Sequence, residues 1–177
     1  MRKPILTKIV ASLAIAIVFC CCKKPTEFKE IEVPNLFSLQ VPAYLKSTDK
    51  LIPFTASNIQ QYQDSAGKIC LLVFDTSRSI EIGTLRTFYD SMIANPVLDS
   101  AKITPVESVN VDNDSAYRSE ITGIHNDVRV FGEIETIATK NRYYYMLVWS
   151  SLDRREELKP DLYKMLNSFK DLSHSKK

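Results

Sequence analysis

The chain has 177 residues, 45% of them hydrophobic, with 23 basic against 21 acidic side chains and a formal charge of +2. That length and apolar content suit a single domain with a sizeable core and argue against a disordered chain. The near-neutral balance gives no electrostatic case for nucleic acid as a partner. The two histidines, His125 in a predicted turn and His174 in the tail, have no second ligand at useful spacing, which argues against a zinc or Ser-His-Asp site. The four glycines form no phosphate-cradling motif, so no cofactor is expected.

Taken in chain order, Arg2, Lys3 and Lys8 surround or precede an apolar run of about eleven residues, Ile9–Phe19. That is the length of a signal peptide core, whereas a spanning helix needs about 20 apolar residues. Lys23 and Lys24 arrive too early for a span. The run ends in Cys20-Cys21-Cys22. A basic start, a short apolar core and a boundary cysteine make a bacterial lipoprotein signal, with acylation expected at Cys21 or Cys22. Phe19 is too bulky to precede an acylated Cys20. The pattern departs from the usual one in placing cysteine, not Gly, Ala or Ser, before the cleavage point. An ordinary secretory signal with incidental cysteines, or a short membrane anchor, are the alternatives. Each buried acyl CH₂ contributes about 0.8 kcal/mol, so several chains hold a protein at a membrane with no apolar surface of its own. The expected location is the cell envelope, at the outer membrane. Loss of Arg2, Lys3 and Lys8 leaves 20 basic residues against 21 acidic, a charge near −1.

The expected organisation is a signal at 1–21, a tether at 22–34 with two prolines, one folded domain at 35–172 and a flexible tail at 173–177. Asn35–Pro42 alternates as a half-buried strand closed by proline. Ala43–Phe54 reads as a loop with one short strand. Thr55–Gln63 and Ile69–Ser77 flank a glycine-containing gap and predict a hairpin. The second run is apolar on both faces, so it needs cover on both sides. Cys70 lies within it and reads as a small buried hydrophobe, not a reactive thiol.

Thr84–Asn95 is the clearest helix: Leu85, Phe88, Tyr89, Met92 and Ile93 form one stripe, and Pro96 ends it. From Ile103 the period returns to two. Strands are predicted at Ile103–Val111, Ser115–Ile124, Asp127–Thr139 and Arg142–Ser150, joined by Asn/Asp-rich connections short enough only for antiparallel hairpins. The last strand is apolar on both faces from Tyr143 to Trp149 and reads as central. Asp153 and Glu156 have capping-box spacing. The apolar stripe Leu158, Leu162, Met165, Leu166, Phe169 and Leu172 predicts a closing helix that starts near Pro160.

Two strands needing cover on both faces and two amphipathic helices give an α/β (α+β) domain. It is a three-layer α/β/α sandwich around a mainly antiparallel sheet of about six or seven strands. The opening FSLQVPAYL, the hairpin into an apolar strand, the mid-chain helix, the long meander and the closing MLNSFK resemble the PsbP/Mog1-type fold over about Asn35–Leu172. The resemblance implies a largely non-enzymatic family of binding and assembly proteins, small bacterial lipoproteins among them. It carries no catalytic motif onto this chain.

Glu133 and Glu135 share one face of a predicted strand, and Glu120 lies on its neighbour. Paired carboxylates can perform acid/base hydrolysis. With Arg118 and Arg129 interleaved, a cross-strand ion-pair ladder on a wet surface is the better reading. Asp112-Asn113-Asp114 is a turn too short for a calcium loop, and His125 is an exposed turn residue. Tyr143, Tyr144 and Tyr145 read as packing. The favoured function is a lipid-anchored, non-catalytic binding or assembly module of the envelope. It touches the membrane through its acyl chains and has a protein partner. An envelope hydrolase would need a concave pocket around Glu120 and Glu133. A carrier of a small apolar ligand would need a cavity beneath Tyr143–Trp149.

Overall fold

The computed structural model describes residues 25–52, 58–66, 68–78 and 82–173. The signal with Cys21 and Cys22, the start of the tether, part of the first predicted hairpin arm, Gly67 and the tail from His174 lie outside the described residues. The strands in the first half are β1 (Phe28–Val33), β2 (Phe37–Pro42), β3 (Lys46–Ser47), β4 (Ile59–Gln63) and β5 (Ile69–Ser77). Helix α1 (Leu85–Ile93) follows, then β6 (Asp99–Ile103), β7 (Glu107–Val111), β8 (Asp114–His125), β9 (Val128–Ala138) and β10 (Arg142–Ser151). Helix α2 (Arg155–Asn167) and the short β11 (Lys170–Asp171) close the chain.

The main sheet runs β3-β4-β5-β10-β9-β8-β6, and β7 pairs with β8 beyond β6. Every pairing among the described residues is antiparallel. The β7–β8 turn has Asp112 and Asn113 at φ 49° and 70°, and the β8–β9 turn has Asn126 and Asp127 at φ 47° and 63°. Two consecutive left-handed residues match the twist of the strands they join, and Asn and Asp tolerate that conformation best after glycine.

The predicted two-faced strands are the middle of the sheet. In β10 every residue from Tyr143 to Trp149 is at most 2% exposed. Tyr144, Met146 and Val148 meet Ile69, Leu71 and Val73 on one face, under α2 and the small sheet. Tyr143, Tyr145, Leu147 and Trp149 meet Cys70 and Leu72 on the other, under α1. Full burial of one such side chain contributes about 1.5–3 kcal/mol, so the two faces supply most of the drive to fold. Thr84 caps α1 through its Oγ1, which accepts from the Thr87 N–H at 3.2 Å. Burial pushes the Cys70 thiol up to about 12, as expected of a core residue. Tyr143 stacks on Phe88 at 5.0 Å, which is packing.

Several expectations are corrected. The tether contains β1, which pairs with β2 along its whole length, with Phe28 and Ile31 packed on the core. The closing helix ends at Asn167, and Lys170–Asp171 turns into a strand against β2. These two differences make a second, three-stranded sheet, β1-β2-β11. Among the described residues the main sheet has eight strands, where six or seven were expected in total. Helix α2 starts at Arg155, five residues before Pro160, and no side chain caps it, so the Asp153–Glu156 capping box does not form. Pro160 is tolerated inside because its side of α2 is exposed, where water can satisfy the carbonyl it orphans. The single strand predicted at Ile103–Val111 is split at Thr104-Pro105-Val106 into β6 and β7.

Gly132 faces Trp149 across the β9–β10 pairing. A Cβ there would collide with the Val148 carbonyl oxygen and come within 2.9 Å of the Trp149 Cβ. Both obstacles belong to the buried central strand, which has no room to yield. Gly132→Ala is therefore expected to cost about 3 kcal/mol in urea unfolding, with Gly132→Val worse. A loss of a few tenths would show that the sheet adjusts here.

Candidate functional site

The break at Pro105 places the site. Strand β6 leaves β8 after Ile103 pairs with Ile121, and β7 joins it where Glu107 pairs with Arg118. The stretch between them bows away from β8 at Ser119 and Glu120. Thr104 pins the bow at one point: its N–H donates to the Glu120 carbonyl at 3.0 Å, and its Oγ1 accepts from the Glu120 N–H at 3.0 Å. The result is a cleft of about 380 Å³ lined by Thr104–Val106, Glu107, Arg118, Ser119, Glu120, Glu133 and Tyr163.

Side chains alternate along β8 and β9, so Arg118, Glu120, Glu133 and Glu135 all project toward α2. Glu120 faces Glu133 and Arg118 faces Glu135 in the strand register. Helix α2 presents Arg155, Lys159, Tyr163 and Asn167, four residues apart and hence on one stripe. Arg155 and Lys159 both pair with Glu120, one on each carboxylate oxygen. Arg118 pairs with Glu135, its Nε donating to Oε2 at 2.7 Å, and reaches Asn167 Oδ1 at 2.7 Å. The Tyr163 ring lies under both the Arg118 guanidinium, at 5.3 Å, and the Lys159 ammonium, at 5.5 Å.

The cross-strand ion pair expected from the sequence forms at Arg118 and Glu135, but the wet surface expected for it is overturned. Glu133 is 1% exposed and Glu135 is fully buried. Glu135 has Arg118 to offset its burial, though one of its oxygens, Oε1, lacks a hydrogen bond. Burial raises the Glu135 carboxyl, and Arg118 opposes the rise. Glu133 has no formed hydrogen bond on either oxygen. The Tyr163 hydroxyl lies near enough to favour its charged form without reaching full bonding geometry. Desolvation first and the Glu120 charge second push the Glu133 carboxyl up to about 7, against Lys159, Tyr163 and Arg118.

The sequence therefore identified the strand half of the site and missed the helix half. The signal for the missed residues is the i, i+4 series Arg155, Lys159, Tyr163, Asn167 beside the apolar stripe of the same helix. Arg129 does not join the cluster: it is exposed near the hairpin end, opposite Ile124. His125 is half-buried, not an exposed turn residue. Its ring meets Trp149 edge-on at 5.3 Å, and burial lowers its pKa. Among the described residues no cluster of three or more His, Cys, Asp or Glu could hold a metal.

No family model and no curated protein matches the sequence. Solved structures do match. The cyanobacterial PsbP (CyanoP) of Synechocystis superposes with a TM-score of 0.60 at 11% identity, over 86% of this chain and 96% of that one. A protein of Bacteroides thetaiotaomicron matches at TM-score 0.57 and 8% identity over 84% of this chain, which spans half of the other's length. LpqN of Mycobacterium tuberculosis, described as involved in cell envelope biogenesis, matches at TM-score 0.50 and 10% identity over 84% of this chain and 86% of that one. The chain has a PsbP-like fold, and an envelope protein is among its structural neighbours.

Two stability experiments check the site. In the unfolded chain the Glu133 carboxyl titrates near 4.3, and in the fold near 7. Between those values the folded state keeps a proton that the unfolded state has lost, so stability falls as pH rises through this window and is flat above it. Glu133→Gln removes the penalty. It is expected to stabilise the protein by about 2 kcal/mol at pH 8, less than the whole shift implies because the cleft lets solvent approach, and by nothing at pH 4. Arg118→Met leaves the Glu135 charge buried alone and is expected to cost about 3–5 kcal/mol at neutral pH. Adding Glu135→Gln to it should recover most of that loss.

Proposed function

We propose that this chain is a lipid-anchored, non-catalytic binding or assembly module of the bacterial cell envelope. The observation that carries the reading is the fold likeness along nearly the whole length of two proteins, one of them described as acting in envelope biogenesis. The basic, apolar and cysteine-ended start of the sequence supports the anchor at Cys21 or Cys22. The carboxylates also favour binding over turnover. Both oxygens of Glu120 are engaged by cations, and both oxygens of Glu133 are shielded beneath the cleft surface, so neither is presented to a substrate as it stands.

A second reading, an envelope hydrolase, is favoured by one observation. Glu120 and Glu133 line a concave cleft together, and Glu133 holds its proton near neutral pH, as a general acid would. Hydrolysis of p-nitrophenyl glycosides above the buffer rate, abolished by both Glu120→Gln and Glu133→Gln, would establish it; a rate equal to buffer removes it. The apolar-ligand carrier is disfavoured. The side chains from Tyr143 to Trp149 are buried under α1 on one face and under α2 with the small sheet on the other. The pocket that reaches Trp149 has Lys68, His125 and Asp153 in its lining.

The direct check on the leading reading is the intact mass of protein extracted from membranes, followed by crosslinking in the native envelope. The expected mass lacks about twenty residues and gains acyl chains. The expected crosslink is to a defined envelope protein, lost when Cys21 and Cys22 are both replaced by serine. An unmodified mass overturns the anchor, and a tethered form that crosslinks to nothing overturns the assembly role.

A further inference from the structure

Among the described residues the least explained group is the Glu133 carboxylate. It is 1% exposed, it lines a cleft, and neither oxygen is hydrogen-bonded. A buried acceptor of this kind costs stability unless something completes it. On the same face of β9, Phe131 and Ile137 are apolar and packed in the core, so a hydrophobic side chain at 133 would fit the pattern. We infer that the cleft binds a guanidinium group, seated across both oxygens of Glu133 with Glu107 and Glu120 at its rim.

The charges facing Glu133 decide the sign of the ligand. From β7 comes Glu107; from β8, Arg118 and Glu120; from its own strand, Glu135; from α2, Arg155, Lys159 and the Tyr163 hydroxyl. Arg118 is spent on Glu135 and Asn167, and Arg155 and Lys159 on Glu120. The cations already present are committed, and the orphaned group is an acid. Arg155 and Lys159 keep further N–H donors, but their charge is already set against Glu120. The two Glu133 oxygens, by contrast, are acceptors that no formed bond occupies and that a cation would complete.

The two orphaned oxygens decide the shape. A guanidinium donates two parallel N–H bonds to one carboxylate, and an ammonium is a point charge that cannot match both in a plane. Entry requires Tyr163 to swing, because it stands over Glu133 at the cleft wall. Its ring is half-buried on the helix surface and lies under two cations, so the motion opens the cleft without disturbing the apolar stripe of α2. This inference stands apart from the envelope reading, since the cleft lies in the folded domain and not at the anchor.

The test is a calorimetric titration of the full chain in detergent, with methylguanidinium as probe. Saturable one-site binding is expected, strengthening about tenfold from pH 6 to pH 8 as Glu133 ionises, with proton release at pH 7 seen as a dependence of heat on buffer. Butylammonium should bind at least about tenfold more weakly. Glu133→Gln should abolish binding; it removes a buried charge, so its folding is not at risk. Tyr163→Ala should retain binding. An alanyl-arginyl-alanine peptide binding more tightly than methylguanidinium identifies a protein side chain as the source, and equal binding identifies a free small molecule. No saturation, equal affinity for butylammonium, or binding that survives Glu133→Gln but is lost in Tyr163→Ala would overturn the inference.

Discussion

The burial of β10 on both faces governs the rest of the molecule. Tyr143 to Trp149 leave essentially no surface to water, so each face must be covered by elements from elsewhere in the chain. Helix α1 covers one face, and α2 with the β1-β2-β11 sheet covers the other. Two of the tyrosines of β10 place their hydroxyls on backbone carbonyls. Tyr143 donates to the Gly83 carbonyl at 2.7 Å, just ahead of α1, and Tyr144 to the Leu36 carbonyl at 2.9 Å, just ahead of β2. Each hydroxyl thus ties the central strand to the entry of a covering element, where the chain has carbonyls left over. The core and the connections are fixed by one strand.

That constraint also explains why the polar cluster lies where it does. The apolar cover on the α2 face is centred on β10 and β5 and thins toward β8. There Ala116 and Val111, with half-buried Val109, are the apolar contributions and α2 turns its polar stripe downward. The break at Pro105 then denies the sheet edge a continuous strand. What remains is a space roofed by a helix and floored by carboxylates. A charge in such a place either finds a partner or gives up its charge. Glu120 and Glu135 take the first course and Glu133 the second. Three acids on neighbouring positions of β8 and β9 have three different environments because Arg155 and Lys159 reach Glu120, Arg118 reaches Glu135, and no cation pairs with Glu133.

Much of this was legible beforehand, and the failures have physical causes. Period-two apolarity in Ile69–Phe74 and Tyr143–Trp149 is unambiguous because both parities are apolar, and the Asn/Asp turns carry their own backbone preference. Phe28–Val33 was read as tether because three of its six residues are charged. It is an edge strand, where charges are tolerated on the wet side and Phe28 and Ile31 suffice to hold it. Pro160 misled the reading of α2 because a proline costs a helix one bond and a clash, a cost that packing of Leu158, Leu162, Met165 and Leu166 outweighs. The helix half of the site was invisible because the stripe from Arg155 to Asn167 looks like any solvated face until the topology lays it on β8 and β9.

Glu133 could have been suspected of burial. Position 133 stands between Phe131 and Ile137 in a strand whose other face holds Val130, Ile134 and Thr136, all buried. A strand so enclosed has no wet side for a carboxylate to reach. The reading as a surface ladder assumed that charges mark solvent, a rule about frequency and not about any given residue. The consequence is a switchable balance of charge. Glu107, Glu120, Glu133 and Glu135 stand against Arg118, Arg155 and Lys159. With Glu133 protonated, three negative groups face three positive ones, and with Glu133 ionised the cleft carries one negative charge in excess. A group titrating near 7 makes that excess available at neutral pH, to whatever cation can reach it, and removes it in mild acid.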